Sequence, residues 1–174
     1  MRIAGMIKES IVDGPGFRTV VFFQGCTNNC PGCHNSETHD FNGGYEIDIK
    51  DIILFLKEDK LSTGITISGG DPMCQPDNLG RLLSAIKLEE DLFSKDIWVY
   101  TGFTIEELVE TLIPEIVDFN KIDYLVDGRF DINKKTLSKQ YIGSFNQRII
   151  NMKKFMSSNM TKLVEYEGDN YGIV

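Results

Sequence analysis

Apolar residues recur along this chain with two different periods, and the two periods take turns. Short runs rich in β-branched and aromatic residues predict strands. These runs are Phe17 to Phe23, Ile65 to Ser68, Ile97 to Thr101, Ile122 to Val126 and, as a further candidate, Arg148 to about Met152. Apolar residues spaced three and four apart predict amphipathic helices between the strands. These helices cover Asp48 to about Lys60, Leu79 to Ile86 and Thr104 to Leu112, with a capping box at Thr104 to Glu107.

Strands that alternate with helices indicate an α/β fold built from parallel βαβ units. The chain has 174 residues, well below the roughly 250 of a complete eight-fold barrel. We therefore expect an open, partial barrel with a wide lateral mouth. No internal repeat, low-complexity tract or linker is visible, so residues 1–174 are expected to form a single domain. The polar tail 157–174 is expected to be poorly ordered in part.

Composition and charge exclude several classes of function. The net charge of −8 disfavours sequence-independent binding to nucleic acid, which needs a basic surface. No apolar run approaches the 18 residues of a membrane span, and charges interrupt the N-terminal segment too early for a signal peptide. We therefore expect the reducing cytoplasm as the location of this chain, with metal-bound thiolates rather than disulfides.

Three of the cysteines form a tight cluster, Cys26-x3-Cys30-x2-Cys33, directly after a predicted strand. Closely spaced thiolates suit an iron–sulfur cluster or zinc, and a closed site of either kind normally has four ligands. Three cysteine ligands leave one coordination position of the metal centre open for chemistry. The alternative is a closed structural site with Cys74 as the fourth ligand, because His34 directly follows Cys33 and is badly placed to reach the same metal.

Other unusual residues also follow predicted strands. The turns Gly69-Gly70-Asp71, Thr101-Gly102 and Asp127-Gly128-Arg129 each come at the end of one. The C-terminal ends of parallel strands share one face of the sheet, and ligands bind there. We therefore expect these turns and the cysteine loop to meet at one site.

The cysteine spacing and the run Ser68-Gly-Gly-Asp-Pro72 resemble the radical S-adenosylmethionine superfamily. The resemblance implies an open partial (β/α)6 barrel of the radical-SAM type. It also implies a [4Fe–4S] cluster held by Cys26, Cys30 and Cys33, whose fourth iron binds S-adenosylmethionine. Further implied contacts to that cofactor come from Gly69 and Gly70 at the methionine end, with Asp71 shaping the turn, and from backbone atoms of Gly32 and His34 near the adenine.

Within that superfamily, the run 10–18 is similar to the segment before the cluster in activases of glycyl-radical enzymes. The runs 30–35, 127–130 and 143–148 resemble one branch in particular, which acts on anaerobic (class III) ribonucleotide reductase. It implies that one electron, from a donor such as a flavodoxin, cleaves S-adenosylmethionine to a 5′-deoxyadenosyl radical. The radical would take a hydrogen atom from a backbone glycine of the partner, the large subunit of that reductase.

Three alternatives remain open from the sequence. The chain could activate another glycyl-radical enzyme, act as a compact small-molecule radical-SAM synthase, or be a non-catalytic metal module that uses Cys74 as a ligand.

Several weaker candidates have plainer interpretations beside their functional ones. Asp13 and Arg18 either form a charged turn or border the site. Asp127 either accepts from a ribose hydroxyl or makes an Asp-Gly turn. Arg129 and Arg148 are surface arginines or bind a carboxylate or an acidic partner. Trp98 is expected in the core and His39 in solvent.

Overall fold

The computed structural model describes residues 1–166, which form one mixed seven-stranded sheet with helices. The strands are β1 (Arg2–Ser10), β2 (Arg18–Phe23), β3 (Tyr45–Glu46), β4 (Gly64–Gly69), β5 (Asp96–Tyr100), β6 (Tyr124–Asp127) and β7 (Arg148–Asn151). The helices are α1 (Ile49–Glu58), α2 (Pro76–Leu88), α3 (Ile105–Val109), α4 (Ile113–Ile116) and α5 (Met152–Ser157). Residues 167–174 of the predicted polar tail lie outside the described part.

The sheet has the order β3-β1-β2-β4-β5-β6-β7. The central strands β2, β4, β5 and β6 are parallel, as the alternation of strands and helices predicted. The outer strands β1, β3 and β7 are antiparallel, so the described residues contain four parallel strands where six β/α units were predicted. The sequence analysis did not predict β1, whose run of intermediate and exposed positions gives no clear alternation.

The helices bury their apolar faces against one side of the sheet. Asp48 caps α1 by accepting a hydrogen bond from the Lys50 backbone N–H, and the helix buries Ile52, Ile53 and Leu56. Helix α3 carries the predicted capping box but ends at Val109, leaving Leu112 outside the helix and 68% exposed. The core between helices and sheet is continuous and includes Ile67, Leu82, Val99, Leu125 and Ile150.

The opposite side of the sheet holds a buried cation at the N-terminal ends of the parallel strands. The Arg18 guanidinium donates to Asp96 Oδ1 at 2.6 Å, to the Ile65 carbonyl at 2.8 Å and to Thr66 Oγ1 at 3.1 Å. It also lies over the ring of the fully buried Trp98, at 5.7 Å from the ring centroid. Every part of this cation therefore has a partner inside the protein.

The position of Arg18 shows a structural role that the sequence analysis did not include. Arg18 begins β2, and the cysteine loop follows Phe23 at the other end. A strand of this length spans about 17 Å, although the Arg18 guanidinium reaches as far as Thr66 in β4. Arg18 is therefore a structural residue that joins the starts of three parallel strands.

Replacing Asp96 by Asn should destabilise the protein, because the Arg18 cation would stay buried without its carboxylate. We expect a loss of about 2–4 kcal/mol in the free energy of unfolding, measured with urea. The matched control is Glu58→Gln, which removes the more exposed ion pair with Lys8 and should cost less than about 1 kcal/mol. Equal effects of the two substitutions would contradict the structural role of Arg18.

Candidate metal and cofactor site

The cysteine loop is fastened to the sheet by backbone hydrogen bonds at its base. After β2 ends at Phe23, the Gly25 N–H donates to the Thr38 carbonyl at 2.7 Å. The Cys26 N–H donates to the His39 carbonyl at 3.1 Å. These two bonds close residues 26–38 into a loop above the C-terminal end of the strand.

The three cysteines of this loop line one cavity of about 110 Å³. The other lining residues are Asn28, His39, Ser68, Gly69, Gly70, Tyr100, Thr101, Gly102, Gly128, Phe130 and Gln147. They come from the ends of β4, β5 and β6 as well as from the loop, so the turns that the sequence analysis placed at one face do meet. A pocket for a cofactor usually has about 300–1,000 Å³, so such a ligand would extend beyond this cavity.

The thiols of this loop are suitable donors for an iron–sulfur cluster or for zinc. In residues 1–166, no three His, Cys, Asp or Glu side chains converge closely enough to hold one metal ion. A [4Fe–4S] cluster spreads its thiolates over different irons, whereas a zinc site binds its thiolates to one ion.

Burial raises the pKa of the Cys26 and Cys30 thiols above the usual value. Without metal, both groups are therefore protonated at neutral pH. A metal ligand must be a thiolate, so loading the site releases protons from these cysteines.

Cys74 lies beside the cysteine loop but is not among the residues that line the cavity. Its sulfur is 3.5 Å from the hydroxyl of Thr27. Burial raises its pKa, as it does for Cys26 and Cys30. This position does not favour the alternative in which Cys74 completes a closed metal site.

Asp71 is fully buried below the cavity and joins three separate segments. Its carboxylate accepts from Asn28 Nδ2 in the cysteine loop at 2.9 Å and from the Gly102 N–H after β5 at 2.9 Å. It also accepts from Thr101 Oγ1 and from the Met73 N–H of its own turn. Burial raises the pKa of this carboxyl to about 6, although all of these hydrogen bonds lower it. Asp71 thus holds the site together without lining its cavity.

Gly69 and Gly70 line the cavity and also pack tightly against the end of β2. A Cβ on Gly69, whose φ is +102°, would lie 2.4 Å from the Phe23 carbonyl oxygen. A Cβ on Gly70 would lie 2.4 Å from the Gly25 carbonyl oxygen. Both positions therefore require glycine for backbone packing against the cysteine loop, whatever they contact in a ligand.

The charged candidate residues at the end of β6 and beyond it pair with other side chains of the protein. Arg148 donates to Asp127 Oδ1 at 2.9 Å and to Glu106 at 2.7 Å. The buried Asp127 also accepts from the Ile105 N–H at 2.8 Å, so neither of its oxygens is free for a ribose hydroxyl. Arg129 is paired with Glu107 at 2.9 Å. These contacts hold the start of α3 in place. They correct the interpretation that Asp127, Arg129 and Arg148 bind a ligand or a partner.

The remaining predicted residues lie at the edge of the site or outside it. Gly32 and His34 are exposed and do not line the cavity, and Gly32 packs beside Ile132. His39, expected in solvent, is partly buried and lines the cavity with its Nδ1 3.2 Å from Asn29 Oδ1. Trp98 is fully buried as expected.

Comparisons with known proteins agree with this donor set. A family model described as a 4Fe-4S single cluster domain matches residues 12–150. An anaerobic ribonucleoside-triphosphate reductase-activating protein of Pasteurella multocida is 39% identical over 145 residues, covering 80% of this chain and 90% of that protein. The protein of the same name from Escherichia coli K12 is 38% identical over 142 residues, covering 79% and 90%. This chain belongs to that family of activating proteins.

The region that the 4Fe-4S single cluster model matches contains the whole site. Every residue that lines the cavity, from Cys26 to Gln147, falls within the matched residues 12–150. The Salmonella typhi member of the family is 36% identical over 152 residues, which is 84% of this chain and 96% of that protein. Among the described residues, no helix is long and apolar enough to cross a membrane.

The raised pKa of Asp71 predicts a specific pH dependence of stability. The folded pKa of about 6 exceeds the usual value of 3.8. The stabilisation from this group is therefore complete below about pH 3.8 and is lost as the pH rises through 6. We expect the free energy of unfolding of the cluster-free wild type, relative to Asp71→Asn, to fall by about 2–3 kcal/mol between pH 4 and pH 7.

Urea unfolding of both proteins at each pH checks this expectation, because all other carboxyl groups are common to the pair. A difference that grows toward pH 7 would show that the hydrogen bonds outweigh burial and that the folded pKa lies below 3.8.

Proposed function

We propose that this chain is the activating protein of an anaerobic ribonucleoside-triphosphate reductase and makes a glycyl radical on the large subunit of that enzyme. The observation that carries the proposal is the meeting of Cys26, Cys30 and Cys33 with the Gly69–Gly70 turn at one cavity. These residues are distant in the sequence, and the cavity lies at the C-terminal ends of parallel strands, where α/β proteins bind ligands.

The cofactors would be one [4Fe–4S] cluster and S-adenosylmethionine. Cys26, Cys30 and Cys33 would bind three irons, leaving the fourth to the methionine end of S-adenosylmethionine. When bound, the reduced cluster supplies the electron that cleaves the sulfonium bond and so yields the radical that takes a hydrogen atom from glycine.

The protein's own contribution is to place these groups and keep water out. Asp71 fixes the cysteine loop relative to Thr101 and Gly102, so the cysteine thiols are held in position before metal binds. The backbones of Gly69 and Gly70 would receive the methionine amino group, because no side chain blocks the approach. Backbone atoms of Gly32 and His34 would lie near the adenine at the outer edge of the site.

The finer features of the fold belong to the same proposal. The parallel strands β2, β4, β5 and β6 would curve into an open partial barrel of the radical-SAM type, with residues 1–174 as its single domain. Its lateral mouth would admit the glycine loop of the partner. A flavodoxin would supply the electron in the cytoplasm, and the net charge of −8 argues against nucleic acid as a partner.

The cysteine assignment is tested by four single substitutions to serine under anaerobic reconstitution. We expect Cys26→Ser, Cys30→Ser and Cys33→Ser each to lose the cluster absorbance, because the two remaining cysteine ligands cannot hold the cube. Cys74→Ser is the matched control and should keep about four irons per chain. Loss of the cluster in Cys74→Ser as well would show a closed four-cysteine site and overturn the catalytic assignment.

The activity is tested by electron paramagnetic resonance on the dithionite-reduced protein. Addition of S-adenosylmethionine should change the shape of the cluster signal, because the cofactor binds an open iron. Addition of the reductase large subunit should then produce a glycyl radical signal on that subunit. A cluster signal indifferent to S-adenosylmethionine would contradict the proposal, and a radical formed only on a different glycyl-radical enzyme would redirect it to that partner.

A further inference from the structure

The loop between β6 and β7, residues 128–147, is basic although the chain as a whole is acidic. It contains four of the 18 lysines and arginines but only one of the 26 aspartates and glutamates, in a chain with a net charge of −8. Lys135 and Lys139 of this loop are exposed, and neither forms an ion pair within residues 1–166. The charges of these two lysines are therefore available to a partner.

Large apolar side chains are exposed among these lysines. Leu137 is 95% exposed, and Phe145 and Ile132 are 54% and 46% exposed. The Lys139 ammonium lies over the Phe145 ring, at 5.9 Å from the ring centroid. Exposed apolar groups rimmed by polar ones are typical of surfaces that bind other proteins. We call this surface the basic patch, and its members are Ile132, Lys135, Leu137, Lys139 and Phe145.

Hydrogen bonds hold the loop in a hairpin-like form. The Thr136 N–H donates to the Gly143 carbonyl at 3.0 Å. The Phe145 N–H donates to the Lys134 carbonyl at 2.9 Å. The Gly143 N–H in turn donates to the side-chain carbonyl of Gln147 at 2.8 Å. The basic patch is thus already ordered in the free protein, which lowers the entropy cost of binding a partner.

The same loop forms one wall of the cysteine cavity. Phe130 lines that cavity, and a backbone hydrogen bond from Phe130 reaches the Cys30 thiol. Ile132 of the basic patch packs beside Gly32, which lies between Cys30 and Cys33 in the cysteine loop. Electron transfer slows steeply with distance, so a protein that reduces a metal centre must dock close to it. The basic patch adjoins the loop that would hold the cluster and so meets this requirement.

We propose that the basic patch is the docking surface for an acidic flavoprotein that delivers one electron to the cluster. An acidic donor is attracted to this loop and repelled by the acidic remainder of the chain, so it is steered to the face beside the cysteines. In the transfer, the reduced flavin loses one electron and the oxidised cluster gains it, and no bond forms or breaks. The inference rests on the proposed function, because it takes the three cysteines to hold that cluster.

A double variant that reverses both lysine charges, Lys135→Glu with Lys139→Glu, tests the inference in the anaerobically reconstituted protein. The measurement is the rate at which a reduced bacterial flavodoxin bleaches the cluster absorbance in a stopped-flow instrument. At low ionic strength the second-order rate constant should fall about 10-fold, because the electrostatic attraction is lost. Added salt should slow the wild type and narrow the difference, because salt screens exposed charges.

The matched control is Lys60→Glu with Arg81→Glu, which changes the net charge equally at exposed residues outside the loop. It should keep the rate constant of the wild type to within about 2-fold, because neither residue adjoins the cysteine loop. Excess dithionite should reduce the cluster fully in both double variants. Their melting temperatures should also match the wild type, because all four side chains are exposed.

Equal rates for the wild type and the loop variant at low ionic strength would overturn the inference, and so would equal slowing in the control. If the loop variant instead raises only the KM for the reductase, with dithionite as the reductant, the basic patch serves the protein substrate and the inference is wrong. A wild type that cleaves S-adenosylmethionine with dithionite but is not reduced by flavodoxin would overturn the inference alone. Failure to cleave S-adenosylmethionine even with dithionite would overturn the proposed function, and the inference with it.

Discussion

The buried carboxylate of Asp71 is the interaction on which the geometry of the site depends. One side chain accepts hydrogen bonds from the cysteine loop, from the turn after β5 and from its own turn after β4. These segments are more than 70 residues apart from end to end, and no helix or strand joins them directly. The loop that carries three thiols is otherwise held by backbone bonds at its base and by a few side-chain contacts such as that of Thr27 with Cys74. A carboxylate suits this task because it can accept several donors at once.

The two ends of the parallel strands carry opposite buried charges with different consequences. At the N-terminal end, Arg18 has a carboxylate partner in Asp96 and stacks on Trp98, so its charge is balanced locally. At the C-terminal end, Asp71 has only neutral donors, and burial therefore raises its pKa. The Arg18–Asp96 pair holds the starts of the parallel strands together. The hydrogen bonds of Asp71 hold the loops that follow the strands, and they leave the cavity free of strong positive charge.

The sequence was sufficient to predict the central strands and the meeting of the turns, because both follow from hydrophobic periodicity and from the parallel order of strands. It was not sufficient for β1, which shows no clear alternation, or for the antiparallel edges, which depend on pairing between distant segments. Motif reasoning named Asp71 in the turn after β4 but could not show that it lies buried beneath the cavity. Asp127 and Arg148 looked available for a ligand because a sequence does not reveal that they bind each other.

Tyr100 escaped notice for a related reason. In the sequence it is one aromatic residue in a strand, next to Trp98, Val99 and Thr101, and nothing distinguishes it from a core residue. Only the structure shows that its hydroxyl is buried and, within residues 1–166, has no hydrogen-bond partner. Asp71 differs, because both oxygens of its carboxylate accept hydrogen bonds from separate segments around the site. We therefore regard Asp71 as part of the frame that holds the cysteine loop and the turns after β4 and β5 together.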